Sequence, residues 1–450
     1  MPAVIREPAR DIPIIAAADV VVLGGGPAGI AAATAAARTG AETLLLERYG
    51  FLGGMGTAAM VTNFCGLHAG SNGEVTQVVH GIADDILDRL KALDGLAPWH
   101  VVPGPDGLKT GAQAYDTAAF KEVADAIVTE AGARIRFHTF ACGAIVADAR
   151  IQAILIETKS GRGAVQGRTF IDCSGDADLA HWAGAPTATG GADGFMAYPT
   201  MMFRIAGVDD AVAMAEARPR IRDLIAEANA SGKYALPRKV GIMRTQAHAG
   251  EWRANLTQIS RNGAPLNGAD ADDLSFAELE GRRQVREYFR FLKDMAPGFA
   301  DAYLLETAPQ IGIRETRRIL GDYQMTGDDV LECRDFDDAI GVNGWPLETH
   351  EFGDVAWKFI PGRGYAQIPF STTLPRGVDN LLVAGRCAST TQDGQASLRV
   401  SGPCFVMGQA AGTAAVLADR SGVAPRDLAI RDLQRQLRSD GVFLGDVPGL

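Results

Sequence analysis

Paired cysteines are missing from this chain. The six it has, at 65, 142, 173, 333, 387 and 404, include no C-x-x-C, which excludes a zinc ribbon and a redox-active dithiol. Scattered single thiols fit a reducing compartment. The histidines show no H-x-x-x-H or similar spacing, so no metal site is supported. No long basic run occurs, and a net charge of −11 argues against nucleic acid as the main partner. The longest uncharged run, Val400 to Ala418, contains glycines, Pro403 and Gln409. It reads as a buried, glycine-opened helix rather than a membrane span. The opening stretch has charges at Arg6, Glu7, Arg10 and Asp11 and leads straight into a strand, unlike a signal peptide. The expectation is a cytoplasmic protein with no membrane partner, of 450 residues and hence two or three domains.

What is present is organised around Asp19 to Glu47, DVVVLGGGPAGIAAATAAARTGAETLLLE. Val20 to Leu23 reads as a buried strand. Gly24, Gly26 and Gly29 supply G-x-G-x-x-G, and an alanine-rich helix follows from Pro27 to about Thr39. A second apolar run, Thr43 to Leu46, ends in Glu47, 18 residues past Gly29. Gly24 allows the tight turn, Gly26 lets the backbone approach a pyrophosphate, and Gly29 lets helix and strand pack closely. Phosphates would sit on the helix N-terminus, and Glu47 would accept hydrogen bonds from a ribose diol.

Further along, Gly53, Gly54 and Gly56 read as a loop that brings backbone close to something. Val75 to Leu93 reads as an amphipathic helix, Pro98 to Gly111 as a loop, and Asp116 to Gly132 as a second helix. Short strands are expected at Ile135–Phe140, Ala144–Ala147, Ala153–Thr158, Ala164–Gln166 and Thr169–Ile171, with a hairpin at Gly161 and Gly163. The last runs into DCSGDADLA, where Asp176 at a helix start is either a nucleotide contact or a plain N-cap. Residues 190–350, with long polar helices, read as an inserted or adjoining domain. Leu381 to Ala384 is a further strand. The glycines at 402, 408 and 412 open a helix that can lie close to a flat ligand.

These segments resemble the FAD-dependent oxidoreductases with a glutathione-reductase-type FAD fold. The resemblance is carried by GGGPAG at Gly24–Gly29, Glu47, GGMGT at Gly53–Thr57, DCSGDADLA at Asp172–Ala180, IGIRETRRILGDY at Ile311–Tyr323, YAQIPF at Tyr365–Phe370, NLLVAGRC at Asn380–Cys387 and SLRVSGPCFVMGQAAG at Ser397–Gly412. It implies an α/β fold: a Rossmann-like FAD/NAD(P)-binding domain with an inserted α+β cap or substrate domain. The FAD-binding domain would comprise residues 1–60, 112–190 and 360–450, the cap 190–350, and a flavin-proximal loop and helix 61–111. Gly24, Gly26, Pro27, Ala28 and Gly29 would hold the pyrophosphate, and Glu47 and Arg48 the adenosine side. Gly53, Gly54 and Thr57 would lie near the ribityl chain and flavin. The backbone at Cys142 would face the adenine, and Asp172, Gly175 and Asp176 would line the adenosine. Gly385 and Arg386 would approach pyrophosphate and ribityl, and Gly402, Gly408 and Gln409 the isoalloxazine edge. No second G-x-G-x-x-G and no CxxxxC pair occurs. A built-in NAD(P)H domain and a disulfide reductase are therefore disfavoured, and an external electron donor or acceptor is expected.

On the substrate side, Arg314, Arg317 and Arg318 share a face at helical spacing. They form either a clamp for an anionic substrate or a salt-bridged interface. Arg399 either reaches the substrate or supports structure. His68 is a candidate general base or a structural residue, and Tyr365 a candidate hydrogen-bonding group. Cys65 is an active-site thiol, a flavin anchor or a bystander. The reading is an FAD-dependent oxidoreductase moving a hydride between a small organic substrate and flavin N5. Dehydrogenase or oxidase is preferred over reductase. A flavin monooxygenase or halogenase and a non-catalytic FAD-binding subunit are the alternatives.

Overall fold

The computed structural model describes residues 4–5, 7–71 and 73–449; Arg6, one charge of the opening stretch, lies outside them. The first strand is Ile14–Leu23, and its last four residues are buried. A run covered on both faces is what a parallel sheet requires. This strand pairs in parallel with Thr43–Leu46 and with Gly161–Asp172, which pairs in parallel with Leu381–Val383. The register sets Leu23, Leu46, Asp172 and Val383 in one row. Arg134–Arg136 extends one edge in parallel, and Arg150–Thr158 and Phe140–Ala147 extend the other antiparallel, giving seven strands among the described residues. Five parallel strands thus end along one edge, where ligands bind in open α/β sheets.

The helix Pro27–Arg38 starts with proline in its first turn and is buried from Ala28 to Ala36. Its small side chains admit a second helix, Ser401–Ser421, at backbone contact. A Cβ on Gly408 would lie 2.1 Å from Ala28 O, and one on Gly412 2.2 Å from Ala32 O. These glycines therefore serve helix packing, not a flat ligand. No single described helix is long and apolar enough to cross a membrane. Gln392–Leu398 and Ser401–Ser421 pass that test only together, across a 91° bend.

A separate core gathers Met60 and residues from Met201 to Ile311 around Trp252, Tyr288, Phe291 and Phe299. It contains an antiparallel sheet in the order Ile242–Thr245, Trp252–Asn255, Phe203–Ala206, Tyr303–Thr307, with the helices Arg218–Ala230 and Ala271–Met295. Met325, Val342, Leu347 and Ile368 pack instead with the first core.

Several expected elements differ. The helix at Val75–Leu93 is a strand, Glu74–Gln77, and a shorter helix, Ile82–Ala92; Gly81 at φ +83° separates them. The loop at Pro98–Gly111 is mostly a hairpin of His100–Pro103 and Lys109–Ala114, whose alternation its glycines and prolines conceal. The strand at Ile135–Phe140 breaks at His138, φ +50°. Ala164–Gln166 and Thr169–Ile171 are one continuous strand. The arginine segment is not helical: Arg317–Ile319 is a strand paired with Thr187–Thr189. Its three arginines accordingly point to different surroundings.

Candidate active site

One cleft opens at the row of strand ends. Gly26, Glu47, Ser174, Arg386 and Ser401 line it together with Arg253 from the second core.

The three motif glycines are required for different reasons. Gly24 has φ +97°, and a Cβ there would meet Cys173 O at 2.5 Å. A Cβ on Gly29 would sit 1.8 Å from Gly24 O, so this glycine sets the helix–strand spacing. At Gly26 the backbone (φ −74°) suits any residue, and the nearest atom to a Cβ is Gly54 Cα at 3.8 Å. Packing does not demand glycine there, but a molecule lying in the cleft would. The helix beginning at Pro27 has no side-chain cap, so its first amides are free for an anion.

Glu47 is buried beside these amides. Its Oε2 accepts from Gly25 N at 2.6 Å and its Oε1 from Tyr49 N at 2.9 Å. Burial pushes its carboxyl up, against those two hydrogen bonds. Across the cleft, Asp176 Oδ1 accepts from Arg386 Nη2 and from Thr316 Oγ1, both at 2.7 Å. Asp178 pairs with Arg317; burial and the charges of Asp176 and Asp172 push its carboxyl up to about 6.

The remaining wall is cationic. Arg244 and Arg253 come from neighbouring antiparallel strands, Arg314 from the segment before the Arg317–Ile319 strand, and Arg399 from the end of the Gln392–Leu398 helix. Glu348 lies 3.3 Å from His350 Nε2 and 3.6 Å from Arg399 Nη2. Burial alone would raise Glu348; the His350 hydrogen bond and the charges of Arg399 and Arg314 outweigh it and hold the carboxyl well below the usual range. Burial and the Arg314 charge keep the imidazole of His350 neutral. Cys65 also lines the cleft, and burial pushes its thiol up to about 12, so it stays protonated.

A sequence profile described as FAD dependent oxidoreductase matches residues 19–437. The chain belongs to that family. It is an oxidoreductase, and FAD is its cofactor. No curated protein matches it. Among solved structures, p-nitrophenol 4-monooxygenase PnpA from Pseudomonas putida DLL-E4 is 11% identical, over 96% of this chain and 91% of that one, with a TM-score of 0.50. A geranylgeranyl bacteriochlorophyll reductase-like protein from Thermoplasma acidophilum is 14% identical, over 95% and 84%, with a TM-score of 0.47. The myxobacterial chondrochloren halogenase CndH is 12% identical, over 94% and 78%, with a TM-score of 0.46. At 11% identity the likeness to PnpA concerns the mixed α/β fold alone.

Of the residues expected to hold FAD, Gly24, Gly26, Pro27, Ala28, Glu47 and Arg48 line the cleft, as do Gly54, Gly175, Gly385 and Arg386. The open space at Gly26 and the uncapped amides fit the pyrophosphate of such a group. Others sit behind the lining. Gly29 packs on Gly24; Gly53 adjoins Thr57, whose hydroxyl donates to Leu52 O at 2.7 Å. Asp172 is fully buried, accepting from Ser174 N and Ala180 N, and so shapes the turn. Asp176 orients Arg386. The thiol of Cys142 donates to Leu155 O, while its neighbours Thr139 to Ala141 line the cleft. Gly402 abuts the Gly66 backbone, and Gln409 accepts from Ile82 N at 3.0 Å.

Among the catalytic candidates, Arg314 and Arg399 line the cleft and Arg317, His68 and Tyr365 do not. His68 is buried and stacked on Trp99; burial and the His80 charge push its imidazole down to about 4. The ring of Tyr365 meets Phe443. Sequence reasoning missed Arg244, Arg253, Asn255, Glu348, His350 and Trp345. For Arg244, Arg253 and Asn255 the signal was strand alternation, but Ile242–Thr245 and Trp252–Asn255 are four-residue strands, too short to stand out from noise.

Proposed function

We propose that this family member transfers a hydride between a small organic substrate and flavin N5, with an external electron donor or acceptor. We read it as a dehydrogenase or oxidase. FAD, when bound, supplies the two-electron acceptor. The supporting observation is Gly26, a glycine the protein's own packing does not need, facing an uncapped helix N-terminus in a cleft at the strand ends. On this reading the fold is of the glutathione-reductase type. Residues 1–60, 112–190 and 360–450 hold the cofactor, 61–111 flank the flavin, and 190–350 cap the substrate. The backbone amides after Gly26 bind the pyrophosphate, Glu47 orients a ribose, and Arg386, held by Asp176, supplies positive charge. Trp345 and Met202 exclude water from the substrate end. His350, kept neutral and fixed by Glu348, offers a hydrogen-bonding ring nitrogen there.

Purified protein should be yellow, and Gly26→Trp should abolish the colour. Anaerobic bleaching against a metabolite library then names substrate and direction. A colourless wild type that FAD does not reconstitute would overturn the proposal. The fold shared with a monooxygenase supports a second reading, flavin monooxygenase or halogenase, for which NAD(P)H-driven oxygen uptake with substrate hydroxylation is the test.

A further inference from the structure

We propose that Arg244 and Arg253 form a carboxylate subsite, so that the substrate handled in this cleft is an organic acid; this rests on the cleft being the redox site proposed above. The two arginines stand directly opposite each other on adjacent antiparallel strands. Like charges in that position repel and destabilise a sheet. The same row provides an internal comparison. Arg204, the next cross-strand neighbour of Arg253, meets Glu251 at 2.5 Å, with Glu306 and Asp116 within 3.9 Å. Arg244 and Arg253 have nothing equivalent. Among the described residues neither lies within ion-pairing distance of a carboxylate, and neither do Arg238 and Arg314.

The neutral partners are thin. Arg253 is 5% exposed, its Nη1 reaches only Met202 Sδ at 3.3 Å, and its Nε–H has no partner. Arg244 donates only to Met243 O at 3.4 Å. Arg314 Nη1 donates to Tyr198 O; its Nη2 and, behind it, Arg238 Nη1 share the single Asn255 Oδ1, at 3.2 and 2.6 Å, and Arg238 Nη2 is left unpartnered. Five guanidinium groups, counting Arg399, thus surround one carboxylate, Glu348. Buried cations without counter-charge are strongly unfavourable, and an arriving anion removes that penalty. Burial and the neighbouring Arg218 and Arg253 charges push the Arg244 guanidinium down to about 10, as such crowding should.

Two guanidinium groups side by side on adjacent strands suit a planar two-oxygen group. Met202 touches Arg253, and Trp345, Trp357 and Val102 line the same cleft; such walls suit a carbon skeleton rather than a hydrated inorganic ion. Both arginines stand on the antiparallel sheet of the second core, whereas the helix N-terminus at Gly26 belongs to the parallel sheet's first crossover.

The test titrates FAD-loaded protein with acetate, succinate and benzoate, with their amides, and with inorganic phosphate. Flavin absorbance and melting temperature are followed together. At least one carboxylate should bind about tenfold or more tighter than its amide and than phosphate. Arg244→Gln and Arg253→Gln should raise that carboxylate's Kd about tenfold or more, leaving the amide's Kd and the FAD content unchanged, with Arg253→Lys intermediate. Carboxylates no better than amides, phosphate as good as carboxylates, or variants that keep the wild-type carboxylate Kd would each overturn the subsite. The wild-type comparison needs no variant to fold. A colourless protein would defeat the flavin reading instead, and the melting-temperature series on it would still report the subsite.

Discussion

Alanine at Gly26 and alanine at Gly29 should have opposite consequences, although one motif contains both. At Gly29 the new methyl carbon would lie 1.8 Å from Gly24 O and 2.9 Å from Gly24 C. Both obstacles are backbone, so the helix must lift off the sheet by more than an ångström to reach ordinary contact. Overpacking costs about 1–3 kcal/mol where side chains can yield, and here none can, so Gly29→Ala should lose at least the upper figure. At Gly26 the backbone is already in a conformation alanine adopts, and the methyl meets nothing nearer than 3.8 Å. The FAD-free protein should therefore gain about 0.4–1 kcal/mol, because alanine restricts the unfolded chain. That appears as a rise of no more than about 2–4 °C. The same methyl projects where a pyrophosphate would lie. Losing one or two charge-assisted hydrogen bonds at about 1.5–3 kcal/mol each should weaken FAD at least about tenfold. The assay is melting of the FAD-free proteins beside flavin retained on gel filtration. If Gly26→Ala melted lower than wild type yet bound FAD equally well, the assignment of Gly26 to the cofactor would be wrong.

Glu348→Gln leaves Arg399 without its carboxylate; the loss should be on the order of 3–5 kcal/mol, read by chemical denaturation, and acetate should restore part of it. An unchanged midpoint would contradict this. His68 has a native pKa of about 4 against an ordinary 6.5, so below pH 6.5 the unfolded chain binds a proton the native one refuses. Its contribution is complete above pH 6.5 and is lost as pH falls towards 4, by roughly 3 kcal/mol at most. His68→Phe, which keeps the stack on Trp99, should flatten that slope in denaturation series run across the interval. Gly408→Ala should lower the melting temperature by forcing two helices apart, at a cost of about 1–3 kcal/mol; equal melting would show that the helix yields.

The strand, turn, helix and acid of Asp19 to Glu47 were legible because each is a local event. Apolar runs, a proline at the first helical position and glycine spacing all act within about 30 residues. The arginine segment misled for the same reason: spacing of three and four implies a helix only if the backbone is one, and pairing with the distant Thr187–Thr189 makes it extended. Gly402, Gly408 and Gly412 were correctly singled out as close-approach positions. What approaches, however, is Gly66 in one case and the Pro27–Arg38 helix in the others, a fact of tertiary packing. The cationic wall was invisible because Arg244, Arg253, Arg314 and Arg399 lie on separate elements. Only the fold brings them together, and their lack of counter-charge is a property of the assembled site.

The contact between Pro27–Arg38 and Ser401–Ser421 also bears on how the enzyme is made. A polypeptide leaves the ribosome amino end first, at about 5–20 residues per second. The first helix therefore emerges roughly 20–70 s before its partner, for which another 363 residues must be translated. Throughout that interval its alanine flank is exposed to solvent or to a chaperone, and the nucleotide cleft lacks the Ser401 side. Chains ending before Ser401 therefore lack one wall of the cleft.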